Sequence, residues 1–356
     1  MTPKRIVVDA LQVGAEPTGV GTQAAEIGVE LRALPGGLEL VLRCSKETAS
    51  LLAPFFPPPA RIETPLARSR PRLRRILVQQ LAGLRERSDT LLVALGDQGP
   101  LCTRARLLAV VNDVRRLEST SGSGALERVW YRFLVPRVVR RADVLVTISR
   151  ASAARIEARF GRTPAVVAAH PRPRVDAPRS RPDDAPLLVL GALRPYKGLD
   201  TLVRALSLLP PGRRPRVVLA GPGDPAPVLR SARAAGVESS LATAGWLPAA
   251  ELEALWGEAR ALVAPSLYEG YGLPVAEALA RGLPVVASDI DAHREIGGDA
   301  LLACAAGDPQ ALADALVQLE DGERRAELAA RALARSRELA SAEPGWRRLV
   351  LAAAAQ

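Results

Sequence analysis

One pattern occurs twice along the chain: short apolar runs rich in Val, Leu and Ile, each followed by residues at helical spacing. In the first half the runs are "RIVVDAL" (5–11), "LELVLRC" (38–44), "TLLVAL" (90–95), "RLLAVVN" (106–112), "DVLVTIS" (143–149) and "AVVAAH" (165–170). Strands apolar on both faces and separated by helices indicate a parallel sheet covered on each side. The pattern stops at "PRPRVDAPRSRPDDAP" (171–186), whose density of proline and charge suits neither helix nor strand. It then resumes with "LLVLG" (187–191), "RVVLAG" (216–221), "ATAGWL" (242–247), "ARALVAPS" (259–266) and "LPVVAS" (283–288). The expectation is an α/β chain of two doubly wound parallel-sheet domains. These are an N-terminal domain over 1–170, a linker over 171–186 and a C-terminal domain over 187–340. The Ala-, Leu- and Arg-rich end, 341–356, is expected to be a helix packing back on the first domain. Open sheets of this kind bind ligands beyond the carboxyl ends of their strands, so two facing sheet edges would form a cleft.

A length of 356 residues with 48% hydrophobic side chains allows two cores. Cys44, Cys102 and Cys304 are odd in number, far apart and in no metal or redox spacing, which suits a reducing cytosol and small core residues. The start, "MTPKRIVVDAL", lacks the pattern of a secretory signal, and no apolar run approaches the roughly 18 to 20 residues of a spanning helix. A soluble or peripheral protein is expected. Residues 1–180 carry 29 basic and 16 acidic side chains, against 19 and 22 in the remainder. The first half should therefore face something anionic: lipid headgroups, a phosphorylated acceptor or nucleic acid. A high arginine content serving solubility alone would give the same count.

The most informative stretch is "SLYEGYGLPVAEALARGLPVVAS" (266–288). "ARALVAPS" reads as a strand and "PVAEALARG" as a short helix, with Pro274 near its start and Gly282 just past its end. The turn between them lies on the ligand edge, where amide N–H groups at a helix N-terminus attract anions and glycines admit a ligand close to the backbone. Glu269 sits on this turn and Glu277 about one helical turn further along. Two carboxylates beside a phosphate-binding turn make sense if they accept hydrogen bonds from sugar hydroxyls, which points to a nucleotide sugar. Taken singly, either glutamate would pass for a solvated residue.

Here the chain resembles the retaining glycosyltransferases of family 4, which have the two-domain GT-B architecture and use nucleotide-sugar donors. The resemblance runs from about Leu187 to Asp321, through "GALRPYKGLDTLVRAL", "VVLAGPGD", "AGWLPAAELEALW", the stretch above and "HREIGGDALL". More diffusely it includes "TGVGTQAAEIGVELRAL" and "RADVLVTISRASAARI" in the first half. It implies that Glu269 touches the donor sugar's hydroxyls near the reacting carbon and that Glu277 holds the ribose. The backbone of Gly270, Tyr271, Gly272 and Leu273 would contact sugar and diphosphate. Lys197 would neutralise the diphosphate, and a leaving nucleoside diphosphate does need cationic help. Lys197 is one of only three lysines, with Lys4 and Lys46, in a chain otherwise dominated by arginine. The glycine loop of Gly19 and Gly21 would face the donor from the first domain. It is too far from the preceding strand to be a dinucleotide fingerprint, because seven residues separate Leu11 from Gly19.

Two positions depart from the family. Many members carry an arginine at the slot of Ala192, and here the nearest is Arg194, which either reaches the phosphates from a shifted position or is a surface residue. Many also have a histidine before an acidic residue after the fourth main strand of the first domain, close to the reacting sugar. This chain has Asn112-Asp113, and asparagine can hydrogen-bond a hydroxyl without taking up a proton.

The resemblance implies transfer of a hexose, with mannose the commonest choice, to a hydroxyl of a glycan or lipid-linked acceptor, with the anomeric configuration kept. It further implies that no metal or other cofactor is required, that the setting is the cytoplasm or the inner face of the cell membrane, and that nucleic acid is not a partner. Asp289-Ile-Asp291 looks like a metal motif of other glycosyltransferases, but its place after a second-domain strand suits a capping turn. His170 and His293 are too few for a metal cluster. "RPRLRRILVQQLAGLRER" (70–87) sets Leu73, Ile76, Leu77, Leu81 and Leu84 at helical spacing between arginines. That stripe is expected to pack on the sheet, with the arginines free to meet anionic lipid. A glycosidase, a nucleotide-sugar epimerase and a GT-B binding module without turnover are the rival readings. A glycosidase would leave Lys197 and the glycine turn without a purpose.

Overall fold

The computed structural model describes residues 3–14, 19–33, 37–69, 72–117, 125–167, 171–341 and 345–355. The first set of apolar runs forms strands β1 (Arg5–Asp9), β2 (Glu39–Ser45), β4 (Thr90–Ala94), β5 (Arg106–Val110), β6 (Val144–Thr147) and β7 (Ala165–Val166), with β3 (Arg61–Leu66) added at one edge. All pairings are parallel, in the order β3-β2-β1-β4-β5-β6-β7. The second set gives β8 (Leu187–Leu190), β9 (Val217–Ala220), β10 (Leu241–Gly245), β11 (Ala261–Ala264), β12 (Val285–Ser288) and β13 (Leu301–Cys304). These are parallel too, in the order β10-β9-β8-β11-β12-β13. Both sheets are Rossmann-like, and in each the order reverses between the first and fourth strands, β1/β4 and β8/β11.

Two strands lie outside the runs picked out in the sequence. β3, "RIETPL", is a half-exposed edge strand holding Pro65, which is tolerated at an edge because one side of the ladder is unpaired. β13, "LLAC", is a four-residue edge strand that follows a left-handed turn at Gly298. Residues 171–186 contain neither helix nor strand.

The chain divides into two compact units. The described residues up to Leu117, those from 125 to 167 and those from 345 to 355 make the first, and 171–341 the second. On one face of the first sheet, helix Gly19–Glu30 and the C-terminal helix Trp346–Ala355 close a core in which Trp346, Val350 and Ala353 are buried. Helix Ala125–Arg141 closes the other face with Tyr131, Leu134, Val135 and Val138. The second unit's helices bury a leucine- and valine-rich core against β8, β9, β11 and β12.

That other face of the first sheet is not wholly apolar. Asp9 and Arg43 are partners across β1 and β2, and both are buried. The Arg43 guanidinium lies 3.1 Å from Glu63 and also bonds Glu86, while Arg5 reaches the same two carboxylates at 2.6 and 3.0 Å. Burial pushes the Asp9 carboxyl up, and the nearby Arg43 charge offsets only part of this. Gln79, on helix Arg72–Arg85, donates to Asp9 Oδ2 at 3.4 Å.

A sheet face of this kind needs polar partners from the helix that covers it. Helix Arg72–Arg85 accordingly buries Arg75, Ile76, Gln79 and Gly83, and leaves Leu77, Leu81 and Leu84 at 63%, 52% and 58% exposure. The expectation that its leucine stripe packs on the sheet is thus overturned for these three residues; the side chain of Leu73 lies outside the described residues. Cys44 and Cys304 are buried, whereas Cys102 is exposed and is no core residue.

Candidate functional site

In the second unit the strands on either side of the order reversal deliver two loops to one place. After β8 the chain makes a tight turn, Pro195–Lys197, and Gly198 adopts φ 68° to open helix Leu199–Leu208. After β11 it runs through Ser266 and Glu269 to Gly272, whose φ of 101° opens helix Leu273–Ala280. Lys197 Nζ and Glu269 Oε1, 72 residues apart, meet at 2.6 Å, and Ser266 Oγ donates to the same oxygen at 2.8 Å. Only 11% and 13% of the lysine and glutamate side chains are exposed. Gly191 clears the way for this contact, because a Cβ there would stand 2.9 Å from Lys197 Nζ.

His293, on helix Asp291–Gly297, completes the group and is 1% exposed. Its Nδ1 lies 2.8 Å from the Ser288 carbonyl oxygen, which can only accept, so the proton sits on Nδ1 and Nε2 presents a lone pair. Nε2 is buried and has no hydrogen-bond partner among the described residues. Gly272 is held beside the ring, where a Cβ would come to 3.3 Å of His293 Cδ2. Lys197, Ser266, Glu269, Pro274 and His293 line a cavity of about 10 Å³, room for one small polar group.

Charge in this group is balanced without bulk water. Burial pushes the Glu269 carboxyl up, but the Lys197 ammonium and the hydrogen bonds from Lys197 and Ser266 outweigh it, and the net direction is below the usual carboxylate range. Burial pushes His293 down, against the pull of Glu269, so the ring stays neutral. A cation, an anion, an acceptor lone pair and a helix N-terminus therefore converge, an arrangement that offers partners to both an anionic group and a hydroxyl.

The other expected residues are distributed as follows. Gly270 and Tyr271 are buried, Leu273 is half-buried at the first turn of the helix, and Arg194 is exposed. Glu277 does not line the cavity around Glu269. It lies further along the helix, where burial raises its carboxyl pKa against the charges of Arg281 and Arg174. Asp289 and Asp291 both bond Arg294 on the surface. Among the described residues no group of three or more His, Cys, Asp or Glu could hold a metal ion. His170 lies outside the described residues.

In the first unit, Gly19 and Gly21 open helix Gly19–Glu30, and Gln23 of its first turns donates to Asn112 Oδ1 at 3.0 Å. The Asn112 backbone N–H donates to Asp97 Oδ1 at 2.7 Å. Asp97 is buried at φ 68°, an unusual conformation for a residue with a side chain. Asn112 is thus fixed from two sides at the carboxyl end of β5. Ser266, His293, Gln23 and Asp97 have no sequence signal of their own. Ser266 falls within the informative stretch and His293 opens the stretch "HREIGGDALL", but neither carries a spacing that marks it out.

Comparison with known proteins identifies residues 185–321 as a domain of the family described as "Glycosyl transferases group 1". The O-antigen chain mannosyltransferase B of Escherichia coli is 35% identical over 156 residues, 42% of this chain and 41% of that protein. The chain thus matches less than half the length of that relative. Among solved structures, sucrose-phosphate synthase from Thermosynechococcus elongatus superposes with a TM-score of 0.73 at 18% identity, covering 98% of this chain and 96% of the other. The Anabaena protein HepE, solved in complex with UDP and glucose, gives 0.71 at 19% identity, covering 94% and 95%. These likenesses establish the GT-B type of fold, and the family match establishes a glycosyltransferase domain.

Proposed function

We propose that the protein is a retaining hexosyltransferase of glycosyltransferase family 4, which moves a mannose-type sugar from a nucleoside-diphosphate donor to a hydroxyl of a glycan or lipid-linked glycan. The observation that carries this is the buried Lys197–Glu269 pair, 2.6 Å apart beside the N-terminus of helix Leu273–Ala280 and inside the matched domain. When a donor enters, the diphosphate takes over Lys197 as its counter-ion and is met by the backbone N–H groups at the helix start. Glu269, still held by Ser266, then accepts a hydrogen bond from a donor hydroxyl. Negative charge builds on the leaving phosphate as the glycosidic bond breaks, so Lys197 stabilises the transition state more than the ground state. Glu277 is assigned to the ribose and Asn112 to a hydroxyl hydrogen bond that involves no proton transfer. Arg194 is an exposed cation available to the phosphates. No metal is assigned a role.

The mannose assignment is supported by the likeness to the Escherichia coli mannosyltransferase, and a nucleoside-diphosphate donor by HepE, which was solved with UDP. The excess of positive charge in residues 1–180 supports an acceptor met at the inner face of the cell membrane.

The test is thermal unfolding with EDTA present, against UDP, GDP, ADP, dTDP and their sugars. A ligand at about 100 times its Kd stabilises by about 2.7 kcal/mol, a shift of a few degrees for a chain of this size. One base should give that shift in the native protein and none in Lys197→Met, and proton NMR of the product should show the anomeric configuration of the donor. No shift with any nucleotide would overturn the assignment. A change of sugar configuration without acceptor would replace it with an epimerase.

A further inference from the structure

Helix Arg72–Arg85 turns its leucines outward, and the neighbouring helix does the same with its own apolar residues. Leu77, Leu81 and Leu84 stand at i, i+4 and i+7, a single stripe that is 52% to 63% exposed. Arg74 and Arg85 are exposed along the edge of that stripe, and Arg87 just beyond the helix is exposed as well. On helix Ala125–Arg141, Val129 is 64% and Phe133 44% exposed, and Arg132, Arg137 and Arg140 are exposed beside them. The Arg137 guanidinium sits 3.6 Å from the centre of the Phe133 ring. Gln98 ties the two helices together, accepting from Arg75 of one at 3.1 Å and donating to the Tyr131 hydroxyl of the other at 3.1 Å.

The orientation is built in. Rotating the leucines inward would bring them onto the Asp9, Arg43 and Glu86 charges and remove Gln79 from Asp9. Gly83 keeps the helix close at the other end, because a Cβ there would strike Pro100. Five large apolar side chains ringed by arginines therefore remain in solvent, and neither a polar surface nor a protein core is served by that.

We propose that this two-helix face docks on an anionic phospholipid surface, the leucines, Val129 and Phe133 entering the headgroup boundary while the arginines pair with lipid phosphates. The charge decides the occupant. A second copy would bring the same arginines against themselves, whereas an anionic bilayer complements all of them at once. Among the described residues no helix is long and apolar enough to cross a membrane, so the attachment is lateral and reversible. The proposal deepens the assignment of a membrane-located acceptor, but the surface itself depends on no step of sugar transfer.

Co-sedimentation of the full chain with vesicles tests it, without nucleotide or sugar. Vesicles of phosphatidylcholine with 30% phosphatidylglycerol are expected to bind the protein, pure phosphatidylcholine vesicles at least tenfold less, and raising the salt is expected to release it. The triple variant Leu77→Gln, Leu81→Gln, Leu84→Gln should lose binding by at least tenfold with unchanged thermal stability, since none of the three is in the core. Arg74→Glu with Arg85→Glu should do the same without touching an apolar residue. Absence of binding to anionic vesicles, or binding that survives both variants, overturns the proposal. So does dimerisation of the native chain without lipid that the leucine variant abolishes. The nucleotide panel above fails or succeeds separately, so a failed transferase assignment and a failed docking surface are told apart.

Discussion

The two units share one strand order but treat buried charge in opposite ways. In the first, Arg5, Asp9, Arg43, Glu63 and Glu86 spread over three neighbouring strands and the end of a helix, and several carboxylates share two guanidinium groups. In the second, the sheet is apolar and the buried pair, Lys197 with Glu269, stands beyond the strand ends on glycine-hinged loops. The first network is covered by helix Arg72–Arg85, whose Gln79 donates to Asp9. The second opens on a cavity that an unpartnered histidine nitrogen also lines. A buried ion pair is no sign of a binding site by itself, and the second is marked out by the room and polar capacity that its surroundings leave for something further.

The largest effect should come from breaking the enclosed network. Arg43→Met leaves Glu63 and Glu86 with Arg5 alone and the buried Asp9 without its neighbouring positive charge, and loss of one member of a buried pair costs about 3 to 5 kcal/mol. Chemical denaturation should show a fall of that size. If the variant keeps native stability, the network is not structural and the contrast fails.

Lys197→Met is expected to weigh more on activity than on stability: a smaller stability loss, because Ser266 still donates to Glu269, and about 100- to 1000-fold loss of transfer rate, the range for removing a charge-stabilising group. Initial rates at saturating donor would check it. A stability loss matching that of Arg43→Met would erase the distinction between the units.

Ser266→Ala removes a hydrogen bond to a charged group, about 1.5 to 3 kcal/mol in general and towards the lower figure here, because Lys197 still holds the carboxylate. The loss should appear mainly as a raised KM for the donor. Glu269 adds a sign to this comparison. Its carboxyl is held below the usual range, so the stability it contributes is present at neutral pH and disappears in acid, as pH falls through its folded value.

Glu26 is the counterpart with the opposite sign and the smallest expected effect. Burial, then repulsion from Glu30, raises its carboxyl to about 7. Its contribution to stability is full below the usual carboxylate value and is lost as pH rises towards 7. Glu26→Gln should raise Tm by about a degree or two at pH 8 and leave it unchanged near pH 4. A pH-independent change would show that Glu26 is solvated.

Much of this was legible in the sequence, for identifiable reasons. Parallel strands announce themselves as apolar runs, most of them because both faces are buried, which is why eleven can be read without a structure. "EGYGLP" marks a strand-to-helix turn because a left-handed residue is needed where Gly272 stands. The direction of helix Arg72–Arg85 was illegible, since periodicity shows that a helix has an apolar face but not which face the sheet will accept. Here the deciding residues include Asp9 and Arg43, which are distant in sequence from the helix. Ser266 and His293 were obscure for the same reason. Their hydrogen-bond geometry depends on β11 and β12 lying side by side, and no local spacing encodes it.

The helix Trp346–Ala355 completes the first unit's core with Trp346, Val350 and Ala353, yet all of residues 171–341 come before it in the chain. During synthesis at about 5 to 20 residues per second, the second unit emerges over roughly ten to thirty seconds while the first waits with part of its interior uncovered. The unit begun first is therefore finished last. A nascent chain halted after residue 341 and before residue 346 would carry a closed second unit attached to an unfinished first one, the state in which a chaperone would find the most to hold.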